Sequence, residues 1–202
     1  MHLPLGSCVV RDWTAGDASS LVRHANNRNV WINLRDRFPH PYTDTHAHEF
    51  LAHARQQDPT TVWAIEVEGE AAGAIGLVML SDVERVSAEI GYWLGEAYWG
   101  RGVATAALKG VTAEVFRQFD LRRIFALPFA DNVASIRVLE KAGYTLEGRM
   151  PDSAIKDGLI RDQWLYGAYS KNWRPFELPR SLRPREAGPA APKPATSAGE
   201  GG

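Results

Sequence analysis

Between Glu89 and Thr105 the chain reads Glu-Ile-Gly-Tyr-Trp-Leu-Gly-Glu-Ala-Tyr-Trp-Gly-Arg-Gly-Val-Ala-Thr. Residues up to Leu94 predict a strand, Gly100 and Gly102 a turn, and Val103 onward a helix. No other stretch constrains the fold as tightly, because a strand that passes through two glycines into a helix builds a nest of unpaired backbone N–H groups. The first N–H groups of a helix lack intrahelical partners and the helix dipole adds positive potential there, so such a nest binds phosphate. Gly100 and Gly102 admit backbone angles barred to other residues and let an anion approach the main chain. A phosphate-bearing cofactor is the first expectation.

The flanking sequence supplies the remaining elements. Cys8 to Trp13 predicts a first strand, and Asp17 is placed to cap a helix over Ala18 to Asn26. A loop from Asn29 to Thr43 follows, with Asp44 expected to cap a second helix through Gln57. Val62–Glu68 and Ala71–Leu80 predict strands joined by a tight turn at Glu68-Gly69-Glu70. Val86 to Leu94 is the next strand, with Ala88, Ile90, Tyr92 and Leu94 on one face and Glu89, Gly91 and Trp93 on the other. Leu108, Val111, Val115 and Phe119 recur at helical spacing over Val103 to Phe119. Arg123–Phe129 predicts a strand, Asn132–Lys141 a short helix closed by Gly143, and Tyr144–Gly148 and Gln163–Tyr169 the closing strands. The result is an α/β chain whose central sheet, of about seven strands, is mixed but mostly antiparallel and flanked by helices.

Composition narrows the partners. The 202 residues carry a formal net charge of -1, so no global field recruits nucleic acid or an acidic membrane surface. Cys8 is the only cysteine, which excludes an intrachain disulfide and a Cys-cluster zinc site and fits the cytoplasm. The first residues do not combine a basic region with an apolar run, so no secretory signal is expected. The longest apolar stretch, Ala71 to Leu80, is interrupted by Gly73 and Gly76 and too short to span a bilayer. The folded domain is expected over 6–175. From 176 to 202 the sequence turns to Pro, Ala, Gly and Ser, too poor in apolar surface to offset ordering entropy, and a disordered tail is expected.

Two motifs carry a family resemblance. Trp99-Gly100-Arg101-Gly102-Val103-Ala104 and Asn132-Val133-Ala134-Ser135-Ile136-Arg137-Val138-Leu139-Glu140-Lys141-Ala142-Gly143-Tyr144 resemble the two signature blocks of the GCN5-related N-acetyltransferases (GNAT), and the likeness covers about Val9 to Trp173. Within that superfamily, Phe38-Pro39-His40-Pro41-Tyr42-Thr43 and the ending Leu146-Glu147-Gly148, Lys156-Asp157-Gly158, Arg161-Asp162 are similar to the Rim group, the N-terminal acetyltransferases of ribosomal proteins. Spermidine acetyltransferases have a similar ending.

The resemblance implies a GNAT fold splayed at an acetyl-CoA site, with acetyl-CoA as co-substrate and no metal. Trp99, Gly100, Arg101, Gly102, Val103, Ala104 and Thr105 would hold the pyrophosphate, mostly through backbone N–H groups. Tyr92, Trp93 and Leu94 would pair with the pantetheine arm like an added strand, Asn132 would meet its amides, and Lys141 is counted with the cofactor-binding residues. Glu89 is the candidate general base and Ser135 the candidate proton donor to the leaving thiolate. Two departures stand out: Leu139 sits where many members carry a tyrosine acid, and Trp99 replaces the usual Gln or Arg. Acceptor candidates are Asn33, Arg35 and Tyr42 from the loop at 29–42, and Asp162 at the end of the loop at 152–161. Their mixed charge fits the N-terminal amine of a protein or peptide; a polyamine or aminoglycoside is the alternative acceptor. A CoA-binding sensor without turnover is the contrasting class. A monomer or homodimer is expected.

Other constellations are weaker. Gly95 to Gly102 lacks the Lys and Ser/Thr of a P-loop. His46, His48, Glu49 and His53 miss the zinc-protease spacing by one residue and suit a solvated helix face.

Overall fold

The structure, a computed structural model, describes residues 1–173; the tail expected over 176–202 lies outside them. One eight-stranded sheet organises these residues. In chain order the elements are β1 (His2–Pro4), β2 (Val9–Arg11), α1 (Ala18–Ala25), α2 (Arg28–Trp31), α3 (Asp44–Gln56), β3 (Val62–Val67), β4 (Glu70–Met79), β5 (Ser87–Leu94), α4 (Val103–Gln118), β6 (Arg123–Ala126), α5 (Val133–Ala142), β7 (Thr145–Lys156) and β8 (Leu159–Tyr169). The strands lie in the order β1-β2-β3-β4-β5-β6-β8-β7 and are antiparallel throughout except at β5–β6. No helix among the described residues is long and apolar enough to cross a membrane.

Eight strands are found where about seven were expected. The addition is β1, three residues that carry no readable alternation and are ordered by pairing His2 with Arg11 and Pro4 with Val9. Proline is tolerated there because β1 is an edge strand. The last two strands are also longer than expected and form a hairpin turned at Asp157-Gly158, where both residues take positive φ (53° and 76°). Their pattern is hidden in the sequence because Ile155, Leu159 and Ile160 are exposed on the projecting arm and Met150 to Ala154 interrupts the register. The β3–β4 turn forms as anticipated, with positive φ at Glu68 and Gly69.

Two helix starts differ from expectation. Asp17 occupies the N-cap position of α1 but makes no side-chain capping bond; its carboxylate accepts two hydrogen bonds from Arg11, both at 2.8 Å, and others from the Thr14 N–H and hydroxyl. At α3 the cap is Thr43, whose hydroxyl accepts from the His46 N–H, and Asp44 is the first helical residue. β6 stops at Ala126 because Pro128 has no N–H to continue the ladder; Phe129 makes an isolated bridge to Gln163.

Each sheet face has its own core. Val10, Ile65, Ile75, Ala88, Ile90 and Leu94 meet Leu108, Val111 and Val115 of α4 and Ile136 and Leu139 of α5. On the other face Leu21 of α1 and Ala47 and Leu51 of α3 pack with Trp13 and Tyr42, and Trp93 leans on this second cluster. The alternation expected along β5 is therefore the observed one: even-numbered residues face α4 and α5, odd-numbered residues face α1 and α3.

Candidate functional site

The end of β5 is where the sheet opens. β4 pairs with β5 over seven positions, from Met79↔Ala88 to Gly73↔Leu94. β6 pairs with it over three, Ser87↔Arg123 to Glu89↔Phe125. Gly95 N–H donates to Ala72 O and Leu80 N–H to Ser87 O, which places the odd-numbered residues of β5 in bonded pairs with β4. Tyr92 and Leu94 consequently aim their N–H and C=O groups at the side that β6 has left. The indole N–H of Trp99 fills one of these positions by donating to Leu94 O at 2.7 Å. The Tyr92 main chain remains available as an edge for an extended ligand.

The glycine turn lies at the same end. Gly100 and Gly102 both take left-handed φ, 75° and 78°, and a Cβ at either would meet nothing within 4 Å. Gly102 caps the sixteen-residue α4, and Ala106 N–H is the first to return a bond, to Gly102 O. Among the described residues the N–H groups of Gly100 through Thr105 donate to no protein acceptor. Val103 is buried, while Ala104 and Thr105 are half-buried. Unpaired donors over an open, glycine-lined approach are what a pyrophosphate requires, so the residues fit the expected cofactor. Arg101 itself pairs with Glu68 and lies 5.2 Å from the Tyr98 ring centroid.

Asn132 and Ser135 lie across the splay at the start of α5. The Asn132 side-chain oxygen accepts from the Ser135 N–H at 3.1 Å, which caps the helix and leaves its amide NH₂ group free to donate. Ser135 Oγ is 2.9 Å from the Tyr92 phenol oxygen, and the phenol also reaches Ser135 O at 3.2 Å. Burial raises the Tyr92 pKa well above its ordinary value, partly offset by the hydrogen bond to Ser135, so the phenol stays protonated. Sequence reasoning valued Tyr92 for its backbone and missed this side-chain role. The signal was present, since a phenol on the core face of a strand needs a polar partner. Leu139 is fully buried in the core, and Lys141 is exposed on α5.

Glu89 projects from the opposite face of β5. It is 21% exposed and ion-paired with Arg35, which arrives from the loop after α2. Farther along, the Phe38 ring meets Trp93 edge-on at 5.6 Å, so this loop runs beside β5 from Glu89 to Trp93. The other acceptor candidates are placed differently. Asn33 is half-buried and donates to Asn29 O at 3.1 Å. Tyr42 is buried in the second core, and that burial pushes its pKa up to about 12. The Asp162 carboxylate accepts from the Asp152 N–H at 2.9 Å, inside the β7–β8 hairpin.

That hairpin clamps the loop after α2. Lys156 is 1% exposed; its ammonium donates to Asp36 at 2.8 Å and lies 3.8 Å from the Trp31 ring centroid. Arg161 donates to Ile32 O at 3.0 Å and Arg28 to Asp157 at 2.6 Å. On α3, His46, His48 and His53 each bond within their own helix or its cap, and no group of three metal-ligating side chains is found among the described residues.

The model of the acetyltransferase (GNAT) domain matches residues 8–145. The ribosomal-protein-serine acetyltransferase of Escherichia coli (strain K12) is 31% identical over 94 residues, 46% of this chain and 52% of that protein. The spermidine N(1)-acetyltransferase of Escherichia coli (strain K12) is 28% identical over 100 residues, 50% of this chain and 53% of that protein. The solved structure of Mycobacterium smegmatis RimJ in complex with CoA-disulfide is 25% identical and covers 85% of this chain and 87% of its own, with a TM-score of 0.72. The chain spans about half the length of the curated relatives it matches.

Proposed function

This chain belongs to the GNAT family of acetyltransferases, and from that premise we propose that it transfers acetyl from acetyl-CoA directly to a primary amine, the N-terminal α-amine of a protein or peptide. One observation carries the reading. The unpaired N–H groups of Gly100 to Thr105, the open main-chain edge at Tyr92 and the Asn132 amide all converge on the splay beside β5.

When bound, acetyl-CoA supplies an acetyl thioester. Gly100 to Thr105 hold its pyrophosphate with backbone donors, reinforced by the α4 dipole. Tyr92 and Asn132 pair with the amide-bearing arm, and the Tyr92 N–H polarises the carbonyl. Glu89 faces the acceptor side and takes the proton that the amine gives up as its nitrogen bonds to the acetyl carbon. Ser135 Oγ–H donates a hydrogen bond to the sulfur as the C–S bond breaks, so that CoA leaves as the stabilised thiolate and takes its proton from water, and Tyr92 orients that hydroxyl from behind. Holding two reactants in this arrangement accounts for roughly 7 to 11 kcal/mol of barrier reduction, and a general base for about 10²- to 10⁴-fold in rate.

The acceptor assignment rests on the mixed charge of the loop that reaches Glu89 through Arg35 and of the hairpin that holds that loop, where Asp36 pairs with Lys156 and Asp157 with Arg28. Likeness to a spermidine acetyltransferase keeps a small amine as the second reading. A thiol-release screen with acetyl-CoA over peptides, polyamines and aminoglycosides separates them. Peptides alone should sustain release in the wild type, and Glu89→Gln should reduce it by about 100-fold. Fastest release with a polyamine would replace the first reading by the second.

A further inference from the structure

A cavity of about 410 Å³ opens on the sheet face that carries Glu89 and Trp93, and nothing above gives it a ligand. Its walls are Leu21, Phe38, Pro39, Tyr42, Phe50 and Trp93, with Arg37, His46 and Glu49 also contributing to the lining. Two features tie it to the reacting end of β5. The loop that forms one wall is pinned beside the strand by Arg35 on Glu89 and by Phe38 on Trp93. Between those contacts, on the same face, Gly91 is exposed, and a Cβ there would meet nothing within 4 Å. An open strip therefore leads from Glu89 over Gly91 to Trp93. Gly91 and Trp93 are two residues apart, about 7 Å along an extended strand.

An amine that approaches the Tyr92 edge from the Glu89 side has its nitrogen near Gly91, and the substituent on its α-carbon then falls within reach of the cavity. The walls decide what that substituent is. Four aromatic rings with a leucine and a proline make up most of the lining and reward the burial of apolar surface, while Arg37, His46 and Glu49 supply its polar part. The volume suits one bulky side chain and is near the low end of small-molecule sites, about 300 to 1,000 Å³.

We propose that this cavity receives the first side chain of the acceptor, so that the preferred acceptor is a peptide whose N-terminal residue is bulky and apolar, such as Phe or Leu. The proposal rests on the acetyltransferase reading and narrows its substrate class. It separates this chain from a polyamine acetylase, because a polyamine has no compact apolar group to place against Trp93.

The test is CoA release at saturating acetyl-CoA with short peptides that differ only in their first residue, Gly, Ser, Leu or Phe. In the wild type kcat/KM for the Phe and Leu peptides should exceed that for the Gly peptide by at least about tenfold, the scale of apolar-pocket discrimination. Phe38→Ala, on a half-exposed loop, should compress that ratio to below about threefold; Phe50→Leu, a milder change in another wall, should compress it in part. A flat wild-type profile overturns the proposal while leaving the acetyltransferase reading intact, as does a preference that both substitutions leave unmoved. Absence of CoA release with every peptide and every amine overturns the acetyltransferase reading and the proposal with it.

Discussion

The phenol oxygen of Tyr92 lies 2.9 Å from Oγ of Ser135 and so ties β5 to the first turn of α5 across the splay. A protonated phenol that donates to Oγ leaves the seryl proton free to turn toward the position of the departing sulfur. Tyr92→Phe should therefore lower kcat by about tenfold with the KM for acetyl-CoA unchanged, and Ser135→Ala should lower it by about 100-fold. Because the two act as one unit, the double variant should be no slower than Ser135→Ala alone. Steady-state kinetics of the three variants decides this, and strictly additive losses would show that Tyr92 does not work through Ser135.

Gly102 combines a φ of 78° with an open approach to the main chain. Gly102→Asp places a carboxylate in that approach and strains a left-handed position, so acetyl-CoA affinity by calorimetry should fall by about 30-fold or more. Gly102→Ala keeps the approach uncharged and should lose less. Unchanged affinity in the aspartate variant would put the phosphate cradle elsewhere.

Lys156 holds the α2 segment and the loop after it from the far hairpin, through Asp36 and the Trp31 ring. Lys156→Met keeps an unbranched side chain, one atom shorter, and removes the charge. Asp36, 76% exposed, is then simply hydrated. With the loop released, the KM for a peptide acceptor should rise by about tenfold, while the Kd for acetyl-CoA, bound on the other side of β5, stays the same. Equal losses of both affinities would indicate a general folding defect.

The Asp17–Arg11 pair makes stability depend on pH in acid. Burial alone would raise the Asp17 pKa, but the Arg11 guanidinium and the Thr14 N–H and hydroxyl more than reverse it, and the carboxyl ends below its usual value. A group lowered in the folded state contributes in full above its unfolded pKa, about 3.9, and that contribution is lost as pH falls through the lower native value. Asp17→Asn should cost about 2 kcal/mol at neutral pH, and its stability should depend less on pH below about 4 than that of the wild type. Urea unfolding at several pH values gives both quantities.

Features whose cause is local were legible in the sequence, and features whose cause is a distant partner were not. Gly102 and Asn132 announce themselves because a left-handed turn and a helix cap depend on residues within one turn of chain. Along β5 the period-two pattern suffices, since each face meets its own core. Tyr92 and Ser135 are 43 residues apart and Lys156 and Asp36 are 120 apart, so neither pairing has a signature in any short window. Asp17 is the exception: its position suits a cap, yet its carboxylate is held by Arg11, six residues away at the end of β2, and the short window does not say which of two local partners wins. The outer β7–β8 hairpin has no readable alternation because its apolar residues near the tip, Ile155, Leu159 and Ile160, are exposed while the buried residue there is a lysine, Lys156.

Product identification is the most direct measurement of acetyl transfer at this site. The purified chain, given acetyl-CoA and a peptide with a free N-terminus and an internal lysine, should release free CoA and yield peptide acetylated on the α-amine, as read by fragmentation in a mass spectrometer. Tight acetyl-CoA binding with no CoA release and no acetylated product from peptides, polyamines or aminoglycosides would contradict it.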